Sequence, residues 1–511
     1  MNACAEPVSM RNGEAIALRE VPVWGWQRFE QALLQRVAEG ARVSALFAMR
    51  AASGGATELV AVLAADGEGV LRLLRTALTA LEFPSLTDAC PQVHLFEREI
   101  AEQYGLVPQG HPWLKPVRFP PPVSVAARAG AETAPGNGPR IGQVDFYRVQ
   151  GEEVHEVGVG PVHAGIIEPG HFRFQCMGEQ VFHLEISLGY QHRGVERALE
   201  HGAAKRALHY AETLAGDSSV AHATAHARAL EALGGCRTPP RAEALRAVAL
   251  ELERLANHVG DLGALALDVG FLPSAAYCGR IRGDFLNMTA ALCGNRFGRG
   301  LVRPGGVGFD PAPEEVQGLL ERLDAAMADA TGAIQLLWNA PSAMARFDHV
   351  GALPQEVAAA LGAVGPVARS CGLARDVRKD HPVGAYQRLP VPVAVWESGD
   401  VFARAYLRWL EIQHAAGFVR EQLRALPGGE IRMPVPSAAP DALAVSLVEG
   451  WRGEACHVVV TDSRGGVARY KVVDPSFHNW SGLAYAMRGQ QISDFPVCNK
   501  SFNLSYCGHD L

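Results

Sequence analysis

Several histidines and carboxylates stand at spacings from which a ligand could be bound or protonated. His163 and His171 lie in GPVHAGIIEPGHFRF (160–174), a glycine- and proline-rich stretch. An imidazole there can donate to a ligand carbonyl or relay a proton, and it can equally brace the turn through backbone carbonyls. His192 and Arg193 precede a segment whose Glu196 and Glu200 would sit one helical turn apart. Such a set could couple electron transfer to proton movement or form a packed ion-pair network. His222 and His226 are four residues apart and would share a helix face, with Asp217 close by as a carboxylate donor. These are metal-ligand types, although an isolated HxxxH pair is more often part of a core or an interface. Cys498 and Cys507, followed by His509, match neither a CxxC knuckle nor a ferredoxin spacing and read as buried thiols. The glycines of GGVGFD (305–310) and PGGE (427–430) form neither GxGxxG nor GxxxxGK[ST], so nucleotide binding has no support.

The elements that must position these residues divide unequally. Residues 1–119 read as a small α/β unit with apolar segments at Val43–Met49 and Leu59–Leu63 and a helical stretch from Gly69 to about Leu81. A second helix follows, with Phe96, Ile100 and Tyr104 along one face and Gly105 as its stop. Residues 120–142, rich in Pro, Ala and Gly, offer little to bury and read as a linker. Residues 143–511 then read as one large, mainly α-helical domain introduced by β-forming stretches around Val157–Gly160 and Arg173–Leu188. From Arg241 to about Leu267, apolar residues at 245, 248, 252, 255, 259 and 262 form one buried stripe. Further helices are expected over about 313–337 and 401–426, the latter capped by Asp400. The fold class is therefore α+β.

The 511 residues exceed what one hydrophobic core normally serves. Their 48% apolar and 20% charged content is that of a globular protein. A net charge of -7 provides no field to gather nucleic acid. No apolar run reaches the roughly 18 to 20 residues of a membrane span, and the first twenty residues lack the basic and apolar blocks of a secretory signal. A cytoplasmic location, with membrane contact only through partners, is the expectation. Ten scattered cysteines do not suggest a disulfide framework.

Three stretches carry a resemblance. GPVHAGIIEPGHFRF, followed by GEQVFHLEISLGYQHRGVERALEH (178–201), resembles the opening of the large subunit of group 4, membrane-bound and energy-converting, nickel-iron hydrogenases and of its relative, the quinone-site subunit of complex I. GLARDVRKDHPVGAY (372–386) with GDVFARAYLRWLEI (399–412) resembles the middle of the same subunits. FEREIAEQYGLVPQGHPWLKPVRF (96–119) is similar to the small complex I subunit that several members carry fused at the N-terminus.

Working hydrogenases of this family hold nickel and iron through two CxxC pairs, because soft thiolates bridge the metals where oxygen and amide donors would not. Set against those motifs, Ala215 and Ser218 occupy the first pair of positions and Ser476 and Asn479 the second. No thiolate stands at any of the four, so the resemblance implies a fold without its nickel-iron centre. The expected function is that of a peripheral-arm subunit of a membrane-associated, ion-translocating oxidoreductase, NADH-quinone oxidoreductase-like or hydrogenase-related. No cofactor is expected in this chain itself. The vacated cavity, with Ala215, Ser218, His222, Asp474, Ser476 and Asn479 as its wall, would receive a quinone or another acceptor near an iron-sulfur cluster in a partner. His163, His171 and Asp217 are the candidate catalytic groups, and no metal ligand is assigned. The implied partners are a small iron-sulfur subunit and antiporter-like membrane subunits, on the cytoplasmic side of the inner membrane. Any NADH site would lie on another subunit. A non-catalytic docking scaffold is the alternative, and an active hydrogenase with unusual ligands a third.

Overall fold

A computed structural model describes residues 6–51, 56–120, 141–202 and 204–511, so most of the expected linker lies outside the described residues. The chain begins with β1 (Val8–Met10), β2 (Ala15–Ala17) and β3 (Val23–Trp24), then α1 (Trp26–Ala38). β4 (Arg42–Arg50), β5 (Thr57–Ala65) and β6 (Val70–Leu78) follow as an antiparallel meander, with β1 and β3 completing a five-stranded sheet on the far side of β6. The helical stretch expected over 69–81 is therefore overturned: it is β6. Its Leu-Arg-Leu-Leu-Arg run suits a helical stripe and a strand alike, and pairing with β5 from Thr57↔Leu78 to Ala65↔Val70 decides for the strand. The helix expected next is α2 (His94–Tyr104). It buries Phe96, Ile100 and Tyr104 and ends at Gly105 in the left-handed conformation, as the sequence predicts. Short strands β7 (Glu82–Pro84) and β8 (Val107–Gln109) pair beside it.

β9 (Val154–Val159), β10 (His171–Met177) and β11 (Gln180–Ser187) form the three-stranded sheet that opens the large domain. Helices α3 (Val195–His201), α4 (Ala204–Glu212), α5 (Ser219–Gly234), α6 (Pro240–Asp268) and α7 (Leu272–Cys293) follow, then a small β12 (Val302–Arg303) and β13 (Gly306–Val307) hairpin. α8 (Pro313–Trp338) and α9 (Val401–Arg424) complete the helical core, separated by short helical turns. The stripe expected on α6 is buried, and the Asp400 carboxylate caps α9 by accepting from the Ala403 N–H.

After α9 the chain forms β14 (Ala442–Gly450), β15 (Gly453–Thr461) and β16 (Val467–Val473), and β2 from the N-terminal region joins them as the edge strand against β14. Helices α10 (Pro475–Ala486), α11 (Phe495–Phe502) and α12 (Tyr506–Asp510) close the chain. Alternation along these strands sends Leu443, Val445, Cys456, Val458 and Val473 into a core shared with the N-terminal sheet. It sends Ala444, His457, Val459, Tyr470 and Val472 to the opposite face, toward α3 and α5. The small and large units thus share a hydrogen-bonded edge and a common core.

Candidate functional site

The Leu214–Ser218 segment turns just ahead of α5, with the Ser218 N–H bonded to the Ala215 carbonyl and the His222 N–H to the Ser218 carbonyl. Ala215 and Ser218 are buried there. Ser476 and Asn479 are buried on the first turn of α10, which Asp474 caps by accepting from the Ser476 N–H at 2.8 Å, with Pro475 at the first helical position. A third segment joins the two: β14 and β15 pair Gly450 with Gly453, leaving Trp451 and Arg452 as a two-residue hairpin loop. The Arg452 guanidinium grips both Asp217 oxygens, at 2.5 and 2.7 Å, touches Ser218 Oγ at 3.3 Å and donates through Nε to the Asn503 carbonyl. The Trp451 indole N–H and the Asn257 amide both donate to the Asp217 carbonyl.

The polar atoms at the four positions already have protein partners. Ser476 Oγ accepts from the Ser505 N–H at 2.8 Å, and Asn479 exchanges two hydrogen bonds with the backbone of Val364, both 3.1 Å. Close packing links that backbone to Arg452: a side chain at Gly365 would meet the Arg452 carbonyl at 2.2 Å. Cys507 belongs to the same cluster, since its sulfur bonds the Ser505 hydroxyl at 3.4 Å and the backbone of Gly216, beside the Glu168 carboxylate. Burial, reinforced by Glu168, pushes that thiol up to about 11, so it is protonated near neutral pH.

A buried hydrogen-bonded chain runs from Asp474 beneath α5. Asp474 Oδ2 meets His222 Nε2 at 3.0 Å, His222 Nδ1 meets His457 Nε2 at 3.0 Å, and the Tyr470 hydroxyl lies 2.8 Å from both His457 Nδ1 and His226 Nδ1. Burial opposes ionisation of Asp474, but the bond and charge of His222, the Arg452 charge and the Ser476 N–H together hold the carboxyl below its usual range. The Arg452 pair overcomes burial in the same way for Asp217. Burial moves His226 down to about 4, His457 well below the usual imidazole range and Tyr470 well above the usual phenol range. Glu253 accepts the Val220 and Ala221 N–H groups at the start of α5, yet burial, aided by the Asp217 charge, raises it to about 8.

The predicted residues therefore fall into two groups. Asp217, Ser218, His222, Asp474 and Ser476 join the Arg452 cluster or touch it. His163 and His171 instead span the β9–β10 loop, His163 Nε2 bonding the Gly170 carbonyl at 2.7 Å and His171 Nδ1 the Gly160 carbonyl at 3.2 Å. Among the described residues they share no hydrogen-bond partner with Asp217. Val162 and Ile166, beside them, are 84% and 86% exposed. Arg193 donates to the Thr213 and Leu214 carbonyls, bracing the Leu214–Ser218 turn, while Glu196 and Glu200 pair with Arg469. His226 faces Tyr470 rather than sharing a ligand with His222. Within the second motif, Asp376 pairs with Arg378, which also reaches Glu251 on α6.

Sequence reasoning passed over Arg452, His457, Tyr470 and Glu253. Only the first had a local signal, an arginine in a two-residue loop bracketed by Gly450 and Gly453. The other three become visible when β15, β16 and α6 are set against α5.

Comparison with known proteins agrees with the motifs. A family model described as the 49 kDa subunit of respiratory-chain NADH dehydrogenase matches residues 268–444 and 436–510, and one described as its 30 kDa subunit matches 26–125. The carbon monoxide-induced hydrogenase of Rhodospirillum rubrum is 33% identical over 353 residues, 68% of this chain and 97% of the relative. NADH-quinone oxidoreductase subunit 4 of Thermus thermophilus is 32% identical over 370 residues, 67% of this chain and 90% of the relative. Formate hydrogenlyase subunit 5 of Escherichia coli is 29% identical over 433 residues, 83% and 76% respectively.

Proposed function

We infer the function from one premise: the chain belongs to the family that unites the 49 kDa-type subunit of NADH-quinone oxidoreductase with the large subunits of membrane-bound hydrogenases, here fused to a 30 kDa-type unit. Its homologues are subunits of multisubunit membrane-associated complexes. We propose that it is the peripheral-arm subunit of such an ion-translocating oxidoreductase and that it does not activate hydrogen. One observation carries the second half. The four positions that would hold nickel and iron present a methyl, two hydroxyls and an amide, and the hydroxyl and amide groups are engaged by Arg452, Ser505 and Val364. That donor set does not fit a nickel-iron centre.

In this reading a quinone or another two-electron acceptor is reduced beside the Arg452 cluster, with electrons from an iron-sulfur cluster in a partner subunit. Protonatable groups around Asp217 and Asp474 couple reduction to proton uptake. The exposed apolar Val162 and Ile166 of the His163 loop face the partner or the acceptor in this reading. Antiporter-like subunits form the membrane arm, on whose cytoplasmic side this chain docks, and any NADH site lies elsewhere in the assembly. Among the described residues no helix is long and apolar enough to cross a membrane.

A docking scaffold is the second reading, favoured by the internal satisfaction of Ser476 and Asn479. Metal analysis and quinone-reduction assays on the purified complex separate them. Substoichiometric nickel with quinone reduction that falls in Asp217→Ala supports the proposal. Stoichiometric nickel would overturn the loss of the site, and an Asp217→Ala complex with unchanged electron flow would favour the scaffold.

A further inference from the structure

Asp474, His222, His457, Tyr470 and His226 form one unbranched line of hydrogen bonds, each 2.8 to 3.0 Å, from the Arg452 cluster to the middle of α5. Each link admits one proton, so fixing one end fixes every other. With Asp474 ionised and no extra proton present, His222 must donate from Nε2. Its Nδ1 then accepts from His457 Nε2–H, His457 Nδ1 accepts the Tyr470 O–H, and the Tyr470 oxygen accepts from His226 Nδ1–H.

We propose that this line is a one-proton relay that carries a proton from His226 Nε2 to His222, where it rests against Asp474, ready for an acceptor reduced at the site. The transfer balances. As a proton binds His226 Nε2, the Nδ1 proton passes to the Tyr470 oxygen, the phenolic proton to His457 Nδ1 and the His457 Nε2 proton to His222 Nδ1. His226, Tyr470 and His457 end neutral with their bonds reversed, and His222 carries the charge as an imidazolium paired with Asp474. Delivery of its Nε2 proton leaves a neutral but reversed line with Nε2 bare against Asp474, and the chain must turn back to its first orientation before another proton can pass.

The surroundings favour that resting place. His222 faces Asp474 before α10, with Arg452 in the hairpin loop and Asp217 ahead of α5 as the next charges. His457 on β15, Tyr470 on β16 and His226 on its own helix are its uncharged neighbours. Burial holds His226 and His457 too acidic as imidazolium to keep the proton, whereas His222 alone touches a carboxylate.

The use of the relay in acceptor reduction rests on the function proposed above, and its wiring does not. The test is nitrogen-15 NMR of histidine-labelled full-length chain in its complex, titrated downward from about pH 8. The relay requires His457 to switch from the Nε2–H to the Nδ1–H tautomer and His226 from Nδ1–H to Nε2–H, both staying neutral, in the step that charges His222. Tautomers that stay fixed as the added proton arrives on His222, or a charge appearing on His457 or His226 instead, would overturn it. Tyr470→Phe removes the bridging hydroxyl, so His226 should no longer follow, and quinone reduction should fall roughly 100-fold. An unchanged rate in that variant would also overturn the relay. A wild-type complex that reduces no quinone, with both tautomers switching, would refute the functional reading and sustain the wiring.

Discussion

Glu99 holds the N-terminal unit to the C-terminal sheet through a buried charge cluster, and neutralising it should loosen that junction measurably. The Glu99 carboxylate accepts from Lys471 Nζ at 2.6 Å through each oxygen and pairs with Arg118. Lys471 also reaches Glu196 at 3.1 Å, and Arg469 pairs with Glu196 and Glu200. Three carboxylates therefore face three cations, and Glu99 and Lys471 are each 1% exposed or less. Glu99→Gln keeps the shape but leaves one positive charge in excess. Breaking a buried pair typically costs about 3 to 5 kcal/mol. Because Lys471 keeps Glu196 and Arg118 keeps the His509 carbonyl, the low end, about 3 kcal/mol, is expected. At about 1.4 kcal/mol per decade this is a roughly 150-fold loss of hydrogen-exchange protection in α2, where local opening separates Glu99 from β16. Exchange read by mass spectrometry on peptides covering 94–104 is the assay. Adding Lys471→Met to Glu99→Gln removes the excess charge and should restore at least half of the lost free energy. Protection within threefold of wild type in the single variant, or no recovery in the double, would refute this account.

Glu253 should give the chain a pH-dependent stability of unusual sign for a carboxylate. Its folded pKa is raised to about 8 against an ordinary 4.5, so its contribution is complete below about pH 4.5 and is lost as pH rises through 8. Denaturant unfolding should show wild type weakening relative to Glu253→Gln by about 1.4 kcal/mol per pH unit between roughly pH 5 and 8, and parallel profiles would exclude a protonated Glu253. Gly508 lies against Asp474, where a Cβ would meet the carboxylate carbon at 2.6 Å, whereas one at Gly216 would meet nothing within 4 Å. Gly508→Ala should cost about 1 to 3 kcal/mol and Gly216→Ala within about 0.5 kcal/mol of nothing, compared by thermal unfolding; equal effects would contradict the close packing of α12 on Asp474.

Local patterns in the sequence exposed some parts of this molecule and hid others for definite reasons. Long amphipathic helices announced themselves, because the α6 stripe and the Asp400 cap are encoded within one element. β6 reads as a helix in the sequence because Leu71, Leu73, Leu74 and Leu78 satisfy two periodicities at once, and only pairing with β5 chooses between them. The β14–β16 sheet escaped because its strands are buried on both faces, which erases alternation. At the site, the turn at Ala215–Ser218 and the Asp474 cap were marked by their motifs. Arg452 fills the region between them, and it stands 235 residues from Asp217, a juxtaposition that no local pattern contains.

The same arrangement bears on the choice between redox subunit and scaffold. Once soft donors are gone, a purely mechanical core would gain by becoming apolar, since exchanging a buried ion pair for well-packed hydrophobic side chains is often neutral or stabilising by about 1 to 4 kcal/mol. This chain instead keeps Asp217 with Arg452, Asp474 with His222, and a hydrogen-bonded line of imidazoles and a phenol around the four positions proposed above to have lost their thiolates. Each desolvated group lowers the stability such a scaffold would have. Ionisable side chains held within one hydrogen bond of each other, with His226, His457 and Tyr470 kept neutral by burial, are suited to pass protons. The polar shell therefore supports the proposed proton-coupled chemistry at this place over docking alone.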